Sequence, residues 1–116
     1  MYVIVRKDLS LEQQSVQAIH ASIETARLLG NDKEEKWEHP HLVLCGVENE
    51  NALKNAIQRL VKNNIPFSYF VEPDLNNEIT AIATFPLRGE KRDVMSRYQL
   101  LSFDKSFIYL NKGDNI

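Results

Sequence analysis

The sequence predicts an α/β fold: a single domain with a mixed four-stranded sheet and helices on both faces. Three observations predict it. Short apolar or aromatic runs alternate with segments of helical periodicity, in the order β-α-(loop)-β-α-β-β-(α), and strands alternating with helices imply a layered sheet covered on two sides. The last two runs are joined by a turn of only a few residues, so they pair antiparallel. The chain has 116 residues, of which 43% are hydrophobic and 26% charged, which suits one compact domain around one core.

The elements follow in order. Met1 to Arg6 is a short buried strand. Ser10 is a plausible N-cap with Gln13 three residues on, a capping-box pattern. The helix it opens runs to about Leu29 and stops at Gly30-Asn31. Residues 31 to 39 are charged and are expected outside the sheet, with Pro40 ending them. Leu42 to Val47 is a second buried strand, and Glu48 to Asn51 supplies cap-type residues. Leu53, Ala56, Ile57, Leu60 and Val61 recur at helical spacing up to Asn63-Asn64. Phe67 to Val71 is an aromatic strand, Pro73 to Asn77 is turn material, and Ile79 to Phe85 is the strand after it. Arg88 to Tyr98 is compatible with a short helix.

Bulk properties exclude several classes. No apolar run approaches the length of a membrane span, and the N-terminus lacks a signal-peptide pattern. A cytoplasmic location is expected. Cys45 has no partner cysteine and is expected as a small buried hydrophobe. The net charge of −2 gives no bulk support for nucleic-acid binding, so any such binding needs a local basic patch. Arg88, Lys91, Arg92 and Arg97 are the candidates for a phosphate backbone. Glycine-rich phosphate loops, nucleophile elbows and paired cysteines are absent from the sequence.

The first helix carries the main functional signal. Gln13, Gln17, His20, Glu24 and Arg27 fall within about 80° of one another on the helix. Val16, Ile19, Ile23 and Ala26 form the adjacent apolar stripe, expected as the core face. The polar row then borders the core. It is either a solvated flank with i,i+4 side-chain bonds or a pocket wall in which His20 acts as acid, base or donor. Asp74, in the turn between two strands, either bonds its own backbone or projects into that pocket. Thr80 needs no functional role to sit in a strand. His20 and Glu24, with His39 and His41, match no metal-site spacing. Neither a metal nor a cofactor is expected.

The residues also resemble a known family. Val5-Arg6-Lys7-Asp8-Leu9, followed by Gln17-Ala18-Ile19-His20-Ala21, is similar to the opening of the second-type peptidyl-tRNA hydrolases, the archaeal and eukaryotic kind. The resemblance continues through Trp37-Glu38, HLVLCGV, the helix near Glu50 and FSYFVEPD, covering about residues 1 to 101. It implies a four-stranded mixed sheet, a homodimer, and hydrolysis of the ester linking a peptide to tRNA. It implies that residues 102–116 are a C-terminal extension. Gln17 and His20 fit the family's helix motif, Asp74 its aspartate after the third strand, and Thr80 its threonine.

Two departures stand out. Gln13 lies where the family has its catalytic lysine, and a glutamine brings no charge to an oxyanion. The glycine-rich loop after the aspartate is reduced to Leu75-Asn76-Asn77. The candidate catalytic set is therefore His20, Asp74, Thr80 and Gln13, with Gln17, Glu24, Arg88 and Arg92 as substrate contacts. Two readings stay open. One is a divergent hydrolase acting on an aminoacyl or peptidyl ester of tRNA or a related substrate. The other is a non-catalytic module using the same groove for tRNA, a nucleotide or a protein. Phe103, Phe107, Ile108, Tyr109 and Leu110 are expected to pack on the sheet or in a dimer.

Overall fold

The computed structural model describes residues 1–30 and 41–101. Four strands form one sheet: β1 (Tyr2–Arg6), β2 (Val43–Val47), β3 (Phe67–Glu72) and β4 (Glu78–Thr84), in the order β2-β1-β4-β3. β1 and β2 run parallel, while β4 runs antiparallel to both β1 and β3. The mixed sheet and the antiparallel final pair are as expected. α1 (Leu11–Gly30) covers one face; α2 (Glu50–Lys62) and α3 (Lys91–Met95) cover the other. The expected strand at Phe67 includes Glu72, and the turn after it is a single 3-10 turn, Pro73–Leu75.

α2 follows its sequence pattern. Asn49 caps it by accepting from the Ala52 amide at 3.0 Å. Leu53, Ala56 and Leu60 are buried against Ile4, Cys45, Ile82 and Met95, an interior of aliphatic side chains. Cys45 sits there as expected, and burial pushes its thiol up.

α1 is capped by Ser10, whose hydroxyl accepts from the Gln13 amide at 3.2 Å. Its burial reverses the expectation. The buried positions are Gln14, Gln17, Ala21, Thr25 and Leu29. Val16, Ile19 and Ile23 stay 45%, 58% and 51% exposed, and Ala26 is exposed too. The cause lies in the strands beneath. β4 presents Thr80, Ala81 and Ala83, all fully buried, and such small side chains let the helix approach closely through Ala21. Most polar atoms on that side then find specific partners, the buried Gln14 Oε1 being an exception among the described residues. Thr25 Oγ1 donates to the Ala83 carbonyl at 3.0 Å, and Gln14 Nε2 to the Leu9 carbonyl at 2.8 Å. A buried polar group with a partner costs little, whereas one without costs about 1–3 kcal/mol. The polar side can therefore face the sheet.

After α3 the chain returns along β2. The Gly46 amide donates to the Gln99 carbonyl and the Leu101 amide to the Leu44 carbonyl, at 3.0 and 2.9 Å, so β2's outer edge is partly paired. No helix among the described residues is long and apolar enough to cross a membrane. The expectations for residues 31–39, and for Phe103, Phe107, Ile108, Tyr109 and Leu110, lie outside the described residues.

Candidate functional site

The site lies where β3 ends and β4 begins, under the first half of α1. A break in the ladder creates it. Phe70 pairs with Ala81 and Val71 with Ile79, so Thr80 is the extra residue of a β-bulge. A bulge re-aims the side chain it adds. Ile79 packs with the α2 core while Ala81 packs under α1. Thr80, between them, turns its hydroxyl to α1 and donates to Gln17 Oε1 at 2.6 Å.

Gln17 is the hub. Its amide nitrogen donates to Glu72 Oε2 at 2.9 Å and to Gln13 Oε1 at 3.2 Å. The carboxylate decides the amide's orientation, since an ionised carboxylate only accepts. The nitrogen must face Glu72, and the oxygen is left for Thr80. All three of its strong bonding groups are used, and the residue is 1% exposed.

Glu72 is the functional candidate that sequence reasoning missed. It follows Phe70 by two residues, so strand alternation puts both on one face. The signal was in the sequence, in the Phe-Val-Glu-Pro-Asp run, but Asp74 drew the attention. Glu72 Oε1 also accepts from the Asp74 backbone amide at 3.2 Å. The Gln17 bond first, then the Asp74 amide and the nearby His20, hold its carboxyl below the usual glutamate range.

His20 stacks flat on Phe70, with ring centroids 4.3 Å apart and planes 7° from parallel. The stacking leaves the ring half-buried beside Glu72. Asp74 is exposed in the 3-10 turn, and among the described residues its carboxylate holds no hydrogen bond or ion pair. Gln13 is exposed at the mouth. Of the predicted residues, Gln13, Gln17 and Thr80 are thus joined directly. His20 lies near Glu72, and Asp74 is tied to Glu72 through its backbone amide.

The others sit elsewhere. Glu24 pairs with Arg27 at 3.1 Å, one turn further along α1. Arg92 lies beside Tyr2, at the start of β1 and so at the opposite end of that strand from Arg6. Arg88 is exposed in the loop before α3.

Beside the bulge, Arg6 holds the same corner of the sheet together. Its guanidinium donates twice to Asp8, at 2.9 and 2.8 Å, and to Glu78 Oε1 at 2.7 Å. These bonds raise the Arg6 pKa and hold Asp8 below its usual range. Arg6 is 7% exposed. A cation so committed is a brace between β1 and β4, not a free electrophile. The Ile79 amide, next to the bulge, donates to Glu50 Oε2 at 2.8 Å, which ties the start of α2 to the same corner. Among the described residues, no three metal-binding side chains gather.

The comparisons with known proteins match this architecture. The structure resembles that of a protein of unknown function from Agrobacterium tumefaciens strain C58, Atu0240, with a TM-score of 0.64. The two share 15% sequence identity, over 87% of this chain and 96% of that one. At that identity the likeness concerns the fold. No curated protein matches the chain. The family model described as peptidyl-tRNA hydrolase PTH2 matches residues 1–101, which take in α1, the bulge and the strand-end turn. By that match the chain belongs to the peptidyl-tRNA hydrolase PTH2 family.

Proposed function

We propose that this chain is a divergent hydrolase of an aminoacyl or peptidyl ester carried by tRNA. The observation that carries the reading is the Gln17 hub, which ties α1 to both Thr80 and Glu72 at the mouth of the sheet. Water adds to the ester carbonyl carbon, the bond to the ribose oxygen breaks, and a proton ends on that oxygen. Asp74 and His20 position and activate the water. Gln17 and Thr80 hold the wall rigid. Gln13, whose oxygen accepts from Gln17, offers its amide N–H group to the carbonyl. A neutral donor stabilises an oxyanion less than an ammonium does, so the expected turnover is slow.

The test is hydrolysis of an N-acetyl-aminoacyl-tRNA by the wild type and Gln13→Lys. The variant is expected to be faster by about 10- to 1000-fold, the range for one oxyanion donor. No turnover by either, with tRNA still bound, would overturn the hydrolase and leave a binding module. The glutamine at position 13 is the feature that favours that second reading.

The reading places the protein in the cytoplasm, where translation makes such esters. The exposed stripe of α1, with Leu42 just before β2 and Leu44 within it, borders an apolar groove of about 470 Å³. So much exposed apolar surface suits an interface, and a homodimer through it is our expectation. Light scattering on the full chain decides it.

A further inference from the structure

On the sheet's other face, two adjoining cavities of about 430 and 480 Å³ share Val47, Ala52, Arg97 and Tyr98. Together they form a groove between α2 and the segment after α3. Lys7, Arg59, Lys62 and Arg97 line it, with Glu48 as its single carboxylate. Several cations elsewhere are already committed. Arg6, Arg27 and Lys54 each pair with a carboxylate, and Lys91 donates to the Asn64 carbonyl. Among the described residues, none of the four groove cations has a carboxylate partner. Arg59 spends one donor on the Val94 carbonyl at 3.3 Å. Arg59 and Arg97 both lie near enough to the Tyr98 phenol to oppose the upward push of burial on its pKa.

Lys7 lines the groove at the edge of the sheet, and its stem lies over Gly46, where a Cβ would come within 2.9 Å of it and 2.8 Å of Leu101. From Ala52 to Lys62 the wall spans about 15 Å of helix, the length of a short run of backbone phosphates.

We propose that this groove binds the phosphate backbone of RNA. The inference rests on the reading above, since it supplies the long anionic part of a tRNA ester whose reactive end occupies the Gln17 site. The two places are joined at Lys7. Its carbonyl accepts from Gln14, one residue after Gln13, at 3.4 Å. Fork-shaped guanidinium groups suit phosphate oxygens, and cations without a carboxylate partner break no ion pair on binding. In a chain of net charge −2, it is this local cluster that answers the need for a basic patch.

The experiment uses deacylated tRNA, which cannot be hydrolysed, so an inactive enzyme does not spoil it. Affinity is measured against salt for the wild type, Arg97→Glu, Lys62→Glu, and Lys54→Glu as a charge-matched control on the same helix. Each groove variant is expected to weaken binding several-fold and to reduce the slope of log K on log salt by about one. Lys54→Glu is expected to change neither. Equal effects in all three, or none, would overturn the groove. So would tighter binding of polyglutamate than of tRNA, which would make the partner an acidic protein. Hydrolysis by groove variants with an unchanged KM would also overturn the groove while leaving the hydrolase standing.

Discussion

The two faces of the sheet are built by opposite rules. On the α2 face, Leu53, Leu60, Ile4 and Ile82 make a dry aliphatic layer in which no side chain needs a particular hydrogen bond. On the α1 face, small residues bring the helix close, and Gln14, Gln17, Thr25 and Thr80 are buried with it. The first face stabilises by area removed from water, at roughly 25 cal/mol per Å². The second trades area for a polar network, leaving Ile19 and Ile23 in solvent. The difference teaches where the fold keeps its chemistry. A site needs polar groups held in place, and the face that gives up hydrophobic burial is the one that can hold them.

The sharpest way to break this comparison is to truncate one aliphatic residue on each helix. Leu60 in α2 is 0% exposed, while Ile23 in α1 is 51% exposed. Leu60→Ala is expected to cost about 2–5 kcal/mol in urea unfolding. Ile23→Ala is expected to stay within about 0.5 kcal/mol in a monomeric sample. Equal losses would mean that α1's stripe is a core after all.

The next test strikes the network itself. Gln17→Leu keeps the side chain's bulk but leaves the buried Thr80 hydroxyl only the Phe70 carbonyl at 3.4 Å and takes a donor from the half-exposed Glu72 carboxylate. Weakening the bond of the buried Thr80 hydroxyl is expected to cost about 1 kcal/mol of stability, less than Leu60→Ala. Any ester hydrolysis is expected to fall by about 100-fold or more, as for a displaced positioning group. A variant as stable and as active as the wild type would reduce the hub to an ordinary surface.

Much of this was legible in the sequence, for reasons that differ by face. The strands and α2 announce themselves through periodicity, since burial there is by area and apolar spacing records area. Gln13 and Gln17 stood out as part of a polar row bordering a helix's apolar stripe, a row that spacing alone reads equally as a solvated flank, and Thr80 stood out only through the family resemblance. Two things were not. The side on which α1 packs depends on Ala81 and Ala83 in a strand distant in sequence, so the helix's own spacing points the wrong way. Glu72 shares a face with Phe70 by alternation alone, but its partner Gln17 meets it only because α1 packs on its polar side, so its role was hidden along with that side.

The smallest expected effect is a dependence on acid, and Glu72 fixes its sign. The Gln17 bond and the Asp74 amide favour its charged form in the folded state, so its folded pKa lies below its unfolded value. The folded state therefore gains stability from it above the unfolded glutamate pKa of about 4.3. That gain is lost as pH falls from there through the lower, folded value. Asp8 and Glu50 are depressed too, by the Arg6 guanidinium and the Ile79 amide respectively, so the whole chain weakens in acid. Glu72→Gln isolates one share. A glutamine keeps an oxygen that can accept from Gln17 but has nothing to protonate. Between pH 7 and pH 3 the wild type is expected to lose more stability than the variant, and the excess belongs to Glu72. Exposure of the carboxylate to water keeps that excess small. Parallel losses in the two proteins would show that Gln17 holds the carboxylate by position alone, and the polar face would then owe nothing to charge.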